Sequence, residues 1–316
     1  MLPRRLLFAT AAVCAVAAAC EAPLELSAVE RERQRTVRRS DLFQAAASNG
    51  EVAVVVGSHG AVVVSADDGR RWRRRELDGR PPLVDVAACA DGTFVALAFD
   101  RSVWIGDRTA ATWSRRALPT EESPVAVVCD PRGRYWVTGA FSTLLVSDDG
   151  GRRWLDRSFG EDQFLTGLQF VDSDHAVLSA EFGGLYVTSD GGESWRLAEP
   201  IPGEFYPLAM HFADRDRGWV AGVRGAVFYT GDGGASWERQ ATETVAPLYS
   251  LVRAGSRIVA VGDHGALLVL GDDGRWLAAR KRLETAAYLA AALPMADGGL
   301  VVAGGGVLLR LRGEDL

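Results

Sequence analysis

Lysine is almost absent from this sequence: Lys281 is the single lysine within a total of 35 lysines and arginines. The 41 aspartates and glutamates outnumber the basic residues, which gives a formal net charge of −6. Proteins that bind nucleic acid concentrate positive charge on one face. The composition therefore gives no electrostatic support for a nucleic-acid partner.

Histidine and cysteine are also scarce, with four of each. The sequence contains neither C-x-x-C nor H-E-x-x-H, and the histidines have no metal-ligand spacing. Its glycine-rich stretches are typical of turns rather than of a phosphate-binding loop. We therefore expect no metal site and no cofactor.

The N-terminus has the layout of an export signal. Arg4 and Arg5 precede an apolar run over residues 6–19, which is too short to span a bilayer. The small residues before Cys20 resemble a bacterial lipobox, with Ala17 in place of the usual leucine. We predict a signal peptide over residues 1–19, a lipidated Cys20 that begins a linker over 20–29, and a periplasmic protein held on a membrane. Glu21 favours the outer membrane, and the alternative is an ordinary cleaved signal in which Cys20 has no role.

Two cysteines remain after the signal and the lipidation site. Cys89 and Cys129 stand 40 residues apart, at equivalent positions of two successive repeats. An exported protein can form disulfides, but equivalent strands of neighbouring repeats can lie too far apart for a bond. We expect two buried thiols, with a disulfide as the alternative.

Six tryptophans divide the chain at nearly constant intervals. They are Trp72, Trp113, Trp154, Trp195, Trp237 and Trp276, at spacings of 41, 41, 41, 42 and 39 residues. Each interval holds four short β-prone segments, A to D, separated by Gly/Asp turns. No convincing helical period occurs after the signal. Repeats of about 40 residues with four strands each indicate propeller blades, so we predict an all-β, seven-bladed β-propeller of four-stranded antiparallel blades over residues 30–316.

The seventh unit has segments A to C but no tryptophan segment. An unpaired outer edge favours aggregation, so the missing strand must come from elsewhere. The alternating stretch ERERQRTVRR, residues 30–39, is the candidate. We predict that it pairs with the last blade and closes the ring through the N- and C-terminal segments.

The segment that ends at each tryptophan follows the pattern S/T-x-D-x-G-x-x-W. Its aspartate can accept hydrogen bonds from turn amides, its glycine permits a positive φ, and its tryptophan can fill the gap between sheets. Five carboxylates around a ring cannot share one substrate, so we assign the pattern a structural role. The predicted residues are Asp67, Gly69, Trp72, Asp149, Gly151, Trp154, Asp190, Gly192, Trp195, Asp232, Gly234, Trp237, Asp272, Gly274 and Trp276.

These segments resemble the Asp-box, or BNR repeat, of sialidases, some xyloglucanases, sortilin-type receptors and photosystem II stability/assembly factors. The copy at residues 106–113 departs from the pattern, and the copy at 270–276 is one residue short. The compact motif GWVAGVRGAVFYTGDGGASW, residues 218–237, is most similar to the assembly-factor branch. That resemblance implies an exported seven-bladed propeller that helps to assemble a membrane complex.

A sialidase-like glycosidase or glycan-binding propeller is the alternative function. The resemblance to sialidases would imply an Arg triad, a Tyr–Glu pair and an Asp, but the R-I-P signature is absent and no blade carries a long insertion that would wall a sugar pocket. We therefore expect a non-catalytic scaffold that docks a membrane-associated protein, and we expect it to be a monomer.

Propellers commonly recognise partners on the face that carries the B–C turns and D–A loops, which we call the B–C face. Aromatic residues and arginines are enriched in interface hot spots. The alternative is that several of these aromatics plug the central channel. The predicted docking residues are His59, Arg101, Phe141, Phe182, Arg224, His264, Phe164, Phe205, Tyr206, Tyr249 and Tyr288.

Overall fold

A computed structural model describes residues 25–316, and these residues form seven antiparallel β-sheets. Blade 1 contains β1 Phe43–Ser48, β2 Ala53–Gly57, β3 Ala61–Ser65 and β4 Arg73–Glu76. Blade 2 contains β5 Leu83–Ala88, β6 Phe94–Ala98, β7 Ser102–Gly106 and β8 Trp113–Ala117. Blade 3 contains β9 Pro124–Cys129, β10 Tyr135–Gly139, β11 Leu144–Ser147 and β12 Leu155–Asp156. Blade 4 contains β13 Leu165–Phe170, β14 Ala176–Ala180, β15 Leu185–Thr188 and β16 Arg196–Leu197.

The remaining blades follow the same order. Blade 5 contains β17 Pro207–Phe212, β18 Gly218–Gly222, β19 Val227–Thr230 and β20 Glu238–Gln240. Blade 6 contains β21 Leu248–Ala254, β22 Arg257–Gly262, β23 Leu267–Leu270 and β24 Trp276–Ala278. Blade 7 contains β25 Leu289–Pro294, β26 Leu300–Gly304 and β27 Val307–Leu311. The predicted seven-bladed propeller is confirmed.

The core of the molecule lies between the blades. The first strands of successive blades contact one another and surround the central channel. The second strands are buried almost throughout, and β6 and β10 at every residue, because a neighbouring sheet covers each face. Each pair of adjacent blades shares an apolar cluster, including blades 7 and 1, where Phe43 and Val55 pack with Ala291 and Ala303. The ring therefore closes by side-chain packing.

The predicted closing strand is wrong. Residues 27–33 form a short helix, α1 Ser27–Arg33, and β25, β26 and β27 form a sheet of three strands among the described residues. Alanine, glutamate and arginine are good helix formers, and Arg33 forms an ion pair with Glu30 one turn away, which an extended strand would not allow. The two chain ends meet through one bridge between Leu42 and Gly305 and one hydrogen bond from the Gly306 amide to the Asp41 carbonyl.

The expectation of two free thiols is also wrong, because Cys89 and Cys129 form a disulfide. Their Cα atoms are 5.1 Å apart, within the range that a disulfide spans. Cys129 ends an innermost strand and Cys89 directly follows one, and neighbouring blades approach each other most closely at these strands. The bond thus ties blade 2 to blade 3.

Polar side chains make further links between the innermost strands. Asp85 of blade 2 accepts a hydrogen bond from the amide of Val127 in blade 3 at 2.8 Å. Burial raises the pKa of this carboxyl to about 6, although amide hydrogen bonds oppose the shift. Gln169 of blade 4 likewise exchanges two hydrogen bonds with the backbone of Phe212 in blade 5. Adjacent blades are therefore joined by specific contacts as well as by apolar packing.

No helix among residues 25–316 is long and apolar enough to cross a membrane. The predicted signal peptide over residues 1–19, the lipidation site Cys20 and the first part of the linker lie outside the described residues. These three predictions remain predictions.

Candidate functional site

Four Asp-box turns have the same pattern of internal hydrogen bonds. In blade 1 the Ser65 hydroxyl donates to Asp67 and accepts a hydrogen bond from the Gly69 amide at 2.9 Å. The Asp67 carboxylate accepts from the amides of Arg70 and Arg71. The glycine has a φ of 76°, which other residues adopt only with strain. The same arrangement occurs around Asp149, Asp190 and Asp232.

These hydrogen bonds fix the charge state of the boxes. Hydrogen bonds from Ser194 hold the pKa of Asp190 well below its usual range, and those from the Arg71 amide lower the pKa of Asp67. Each carboxylate is thus ionised and occupied by its own turn. The boxes offer no free acid or base for chemistry.

The two irregular copies use other carboxylates than the regular position of the pattern would give, and the copy in blade 6 differs from the prediction. In blade 2 the turn is held by Asp107, which accepts from the amides of Thr109 and Thr112. In blade 6 the role of Asp272 is wrong: within residues 25–316 its side chain makes no hydrogen bond, and Asp273 accepts from the Arg275 amide instead. The copy is one residue short, so the neighbouring carboxylate is the one that points into the turn.

The box tryptophans pack between blades. Trp72 contacts the cluster shared with blade 7, Trp154 the cluster shared with blade 2, and Trp276 the cluster shared with blade 5. Each therefore packs against the preceding blade in the ring. Blade 7 has no box, and between blades 6 and 7 the buried Leu311 and Leu316 fill the gap.

The B–C face is built from pairs of loops. In blades 1–6 the B–C turn bonds to the D–A loop that leaves the same blade, as the Gly60 amide does to Pro81 and the Leu118 amide to Arg101. Six of these turns in the described chain each hold a residue other than glycine with a φ between 51° and 59°; it is the central residue of the turn in five blades and the last residue, Arg101, in blade 2. The six residues are His59, Arg101, Phe141, Phe182, Arg224 and His264. This conformation costs about 1 kcal/mol for a non-glycine residue, so the fold holds these side chains outward against a local strain.

The predicted docking residues separate into three groups. His59, Arg101, Phe141, Phe164, Phe182, Arg224 and His264 are exposed on the B–C face. Tyr206, Tyr249 and Tyr288 are half-buried, and burial raises the pKa of each phenol. Phe205 is only 4% exposed and packs against Phe228, so it belongs to the core and offers no surface for docking.

Two of the tyrosines line a cavity of about 500 Å³. Tyr249 and Tyr288 meet edge to face with ring centroids 6.5 Å apart, and the Gln44 amide donates to the Tyr288 hydroxyl at 3.2 Å. Asp263 and Ala290 complete the lining. Aromatics thus partly fill the channel mouth here, as the channel-plug alternative foresaw, while the phenylalanines remain on the rim.

One exposed aromatic on this face was not predicted. Phe99 is 60% exposed and occupies the first position of the blade 2 turn, two residues before Arg101. The sequence prediction named one residue for each turn, and in blade 2 that residue was Arg101. An exposed phenylalanine directly after a buried second strand is the sequence signal that would have identified it.

The glycosidase alternative predicts a Tyr–Glu pair beside converging arginines. A Tyr–Glu contact does occur, between the Tyr186 hydroxyl and Glu161 at 3.3 Å. Tyr186 lies on the third strand of blade 4, is 9% exposed and also bonds to Gln163. Burial raises the pKa of this phenol, the opposite of what a nucleophile needs. The contact does not form a sialidase-like site.

The fold and these turns define a class: a seven-bladed β-propeller whose blades are fastened by Asp-box turns. No family model matches the chain. The chain is similar to the photosystem II assembly lipoprotein Ycf48 of Synechococcus sp. (strain CC9902), with 30% identity over 132 residues. That stretch covers 39% of this chain and 39% of the relative, so the similarity spans well under half the length of each.

Solved structures confirm the architecture over a longer stretch. A structure of YCF48 bound to D1 peptide superposes with a TM-score of 0.70 at 15% identity, over 86% of this chain and 92% of that one. Virginiamycin B lyase from Staphylococcus aureus superposes with a TM-score of 0.75 at 10% identity, over 87% and 95%. At these identities the likeness concerns the fold alone, and it includes both a peptide-binding propeller and an enzyme.

Proposed function

We propose that this chain is a non-catalytic scaffold or assembly factor that docks a membrane-associated protein on its B–C face. The observation that carries the proposal is the row of strained turns, which holds phenylalanine, arginine and histidine side chains in solvent on one face. Exposed aromatics and arginines on a rigid rim are typical of protein interfaces. The Asp-boxes on the opposite face are occupied by their own turns.

The similarity to Ycf48 supports the same function. That relative is a photosystem II assembly lipoprotein, and its structural counterpart has been seen with a bound peptide of D1. By analogy, we propose that the present chain is exported, anchored through Cys20 on the periplasmic face of a membrane, favouring the outer membrane, and active as a monomer. The protein partner itself is identified by the experiment below.

Cross-linking in native membranes tests the docking proposal. The double variant Arg224→Ala/Phe182→Ala removes a cation and an aromatic from the B–C face. We expect the wild-type chain to co-purify with a defined membrane protein. The amount of this protein recovered with the variant should fall about tenfold or more. Arg153→Ala/Leu155→Ala is the matched control, since both side chains are exposed near the Asp-box turn of blade 3.

The control variant should retain the partner. Equal recovery by both variants would place docking elsewhere on the molecule. No partner above background in any sample would contradict the scaffold function, and glycan binding would then be measured on the same protein.

A further inference from the structure

The B–C face is electrically divided into two halves. We define the acidic half as the B–C turns of blades 2–4 with loops 118–123, 157–164 and 198–206. The basic half consists of the B–C turns of blades 5, 6, 7 and 1 with loops 241–247, 279–288 and 77–82 and the segment 34–42. The acidic half carries eight carboxylates and two arginines, whereas the basic half carries eight lysines and arginines and five carboxylates.

Most carboxylates of the acidic half lack a cationic partner. Arg101 pairs with Glu121 and Arg157 with Glu193, so both arginines are already engaged. Across residues 25–316, six carboxylates of this half take part in no ion pair, and they carry the negative potential of its surface. They are Glu122, Glu161, Asp162, Glu181, Glu199 and Glu204.

The same half carries the exposed phenylalanines. Phe99, Phe141 and Phe182 are 60%, 53% and 65% exposed, and Phe164 is 39% exposed. Three of them are neighbours through the backbone: the Ser142 amide donates to Gln163 at 2.6 Å and the Glu181 amide to Phe164 at 3.0 Å. Phe141, Phe164 and Phe182 thus form one apolar row, with Glu161, Asp162 and Glu181 beside it.

The row does not result from a folding requirement. Phe141 and Phe182 have φ values of 51° and 57°, a conformation that phenylalanine adopts with strain and that asparagine or glycine adopts readily. Strained residues held in solvent are found where the side chain has a binding role. A group of exposed phenylalanines in such a conformation is a surface that a partner can cover.

From this division we infer that the acidic half binds a basic, apolar segment of the partner, in which lysines or arginines flank large aliphatic or aromatic side chains. The apolar side chains of the segment cover the phenylalanine row, and its cations face the unpaired carboxylates. Complementary charge sets the orientation and the association rate, while the buried aromatics supply most of the affinity. This inference rests on the proposed docking function and names the chemistry of its partner.

Two synthetic peptides measure the predicted selectivity on the purified full-length protein. One alternates lysine and leucine, and the other has glutamate in place of every lysine. Fluorescence anisotropy should show the basic peptide binding at least about tenfold more tightly, with an affinity that falls as salt screens the charges. Tighter binding of the acidic peptide would overturn the inference.

Variants then locate the site. Phe141→Asn/Phe182→Asn keeps the backbone, because asparagine tolerates positive φ, and should weaken the basic peptide about tenfold. Glu161→Gln/Asp162→Asn should weaken it less and reduce its salt dependence. Arg280→Ser/Arg282→Ser, two exposed arginines in loop 279–288 of the basic half, is the matched control and should leave binding unchanged or improve it. An equal loss in the control, at unchanged thermal midpoints, would contradict a site in the acidic half.

The membrane cross-linking assay separates this inference from the proposed function. If the native partner is lost with Arg280→Ser/Arg282→Ser but retained with Phe141→Asn/Phe182→Asn, the scaffold function stands and the choice of half is wrong. If neither pair affects a partner that is still recovered, docking on this face is itself contradicted.

Discussion

At the scale of single residues, the tightest constraint lies where each second strand ends below the B–C face. In five blades that residue is glycine, and a Cβ built there would overlap the carbonyl oxygen of the loop that enters the innermost strand. At Gly222 the oxygen belongs to Tyr206. Blade 4 has Ala180 instead, with a ψ of 163° where Gly222 has −143°. The backbone turns differently there, which makes room for the methyl group.

We therefore expect Gly222→Ala to destabilise the protein by about 1–3 kcal/mol, the usual result of forcing extra volume into a packed site. Gly231→Ala in the same blade is the matched control, because its new Cβ would lie 3.3 Å from the Tyr229 hydroxyl and no positive φ is involved. Urea unfolding of the two variants measures the difference. Similar midpoints for both would show that the loop above Gly222 moves freely.

At the scale of elements, the segment that leads from α1 to β1 is held by one buried ion pair. Arg74 of β4 donates two hydrogen bonds to Asp41, at 2.8 and 3.0 Å, and the two side chains are 9% and 2% exposed. Asp41 also accepts from the Arg38 amide, and the Thr36 carbonyl accepts from Arg74. This segment lies against the outer strand of blade 1, and Val37 packs in the cluster between blades 7 and 1.

Asp41→Asn should cost about 1–3 kcal/mol of unfolding free energy, because it removes the buried partner of Arg74 and leaves only Glu76, 3.1 Å from the guanidinium, as a counter-charge. The second change Arg74→Met should restore part of the loss. Glu30→Gln, which removes the exposed pair with Arg33, should have no measurable effect. Thermal unfolding of the four proteins provides the test. A negligible change for Asp41→Asn would mean that the segment contributes little to the stability of the ring.

At the scale of the whole molecule, the period of the tryptophans was sufficient to predict the blades, because each repeat must bury its faces against the next one. The closing contact could not be predicted in the same way. Residues 30–39 have charged side chains at both alternating positions, and such a stretch can be a helix or an edge strand. The disulfide depends on a distance between blades, here 5.1 Å between Cα atoms, which spacing along the chain does not give.

The docking face was also predictable only in part. The position of each B–C turn follows from the repeat, so most of its central residues were identified. The burial of single side chains could not be predicted. Phe205 and Phe164 both lie in loops that lead into an innermost strand, yet Phe205 is buried and Phe164 is exposed. The division into two charged halves arises only when loops that are distant in sequence are brought side by side by the ring.

The proposed anchor is also a property of the whole molecule. Cys20→Ala should move the protein from the membrane fraction to the soluble periplasmic fraction, because it removes the proposed attachment site of the lipid. Cys14→Ala, in the predicted signal peptide, is the control and should remain on the membrane. Fractionation followed by immunoblotting distinguishes the two. Retention of Cys20→Ala on the membrane would contradict lipidation at this residue.

Among residues 25–316 the ring closes by side-chain packing and a few polar contacts, without an exchanged strand, and this determines how it would carry tension. A pull on the N-terminal chain enters the fold at α1 and reaches Asp41, which Arg74 ties to β4, the outermost strand of blade 1. Two residues further on, the same chain begins β1, the innermost strand of that blade. The load is thus divided between the two edges of a single sheet, which resists as one unit instead of peeling strand by strand. Because no strand within residues 25–316 is exchanged between the first and last blades, blade 7 takes up this tension only through its contacts with Asp41, Leu42 and the side chains of blade 1, and blades 3–6 only through their neighbours in the ring.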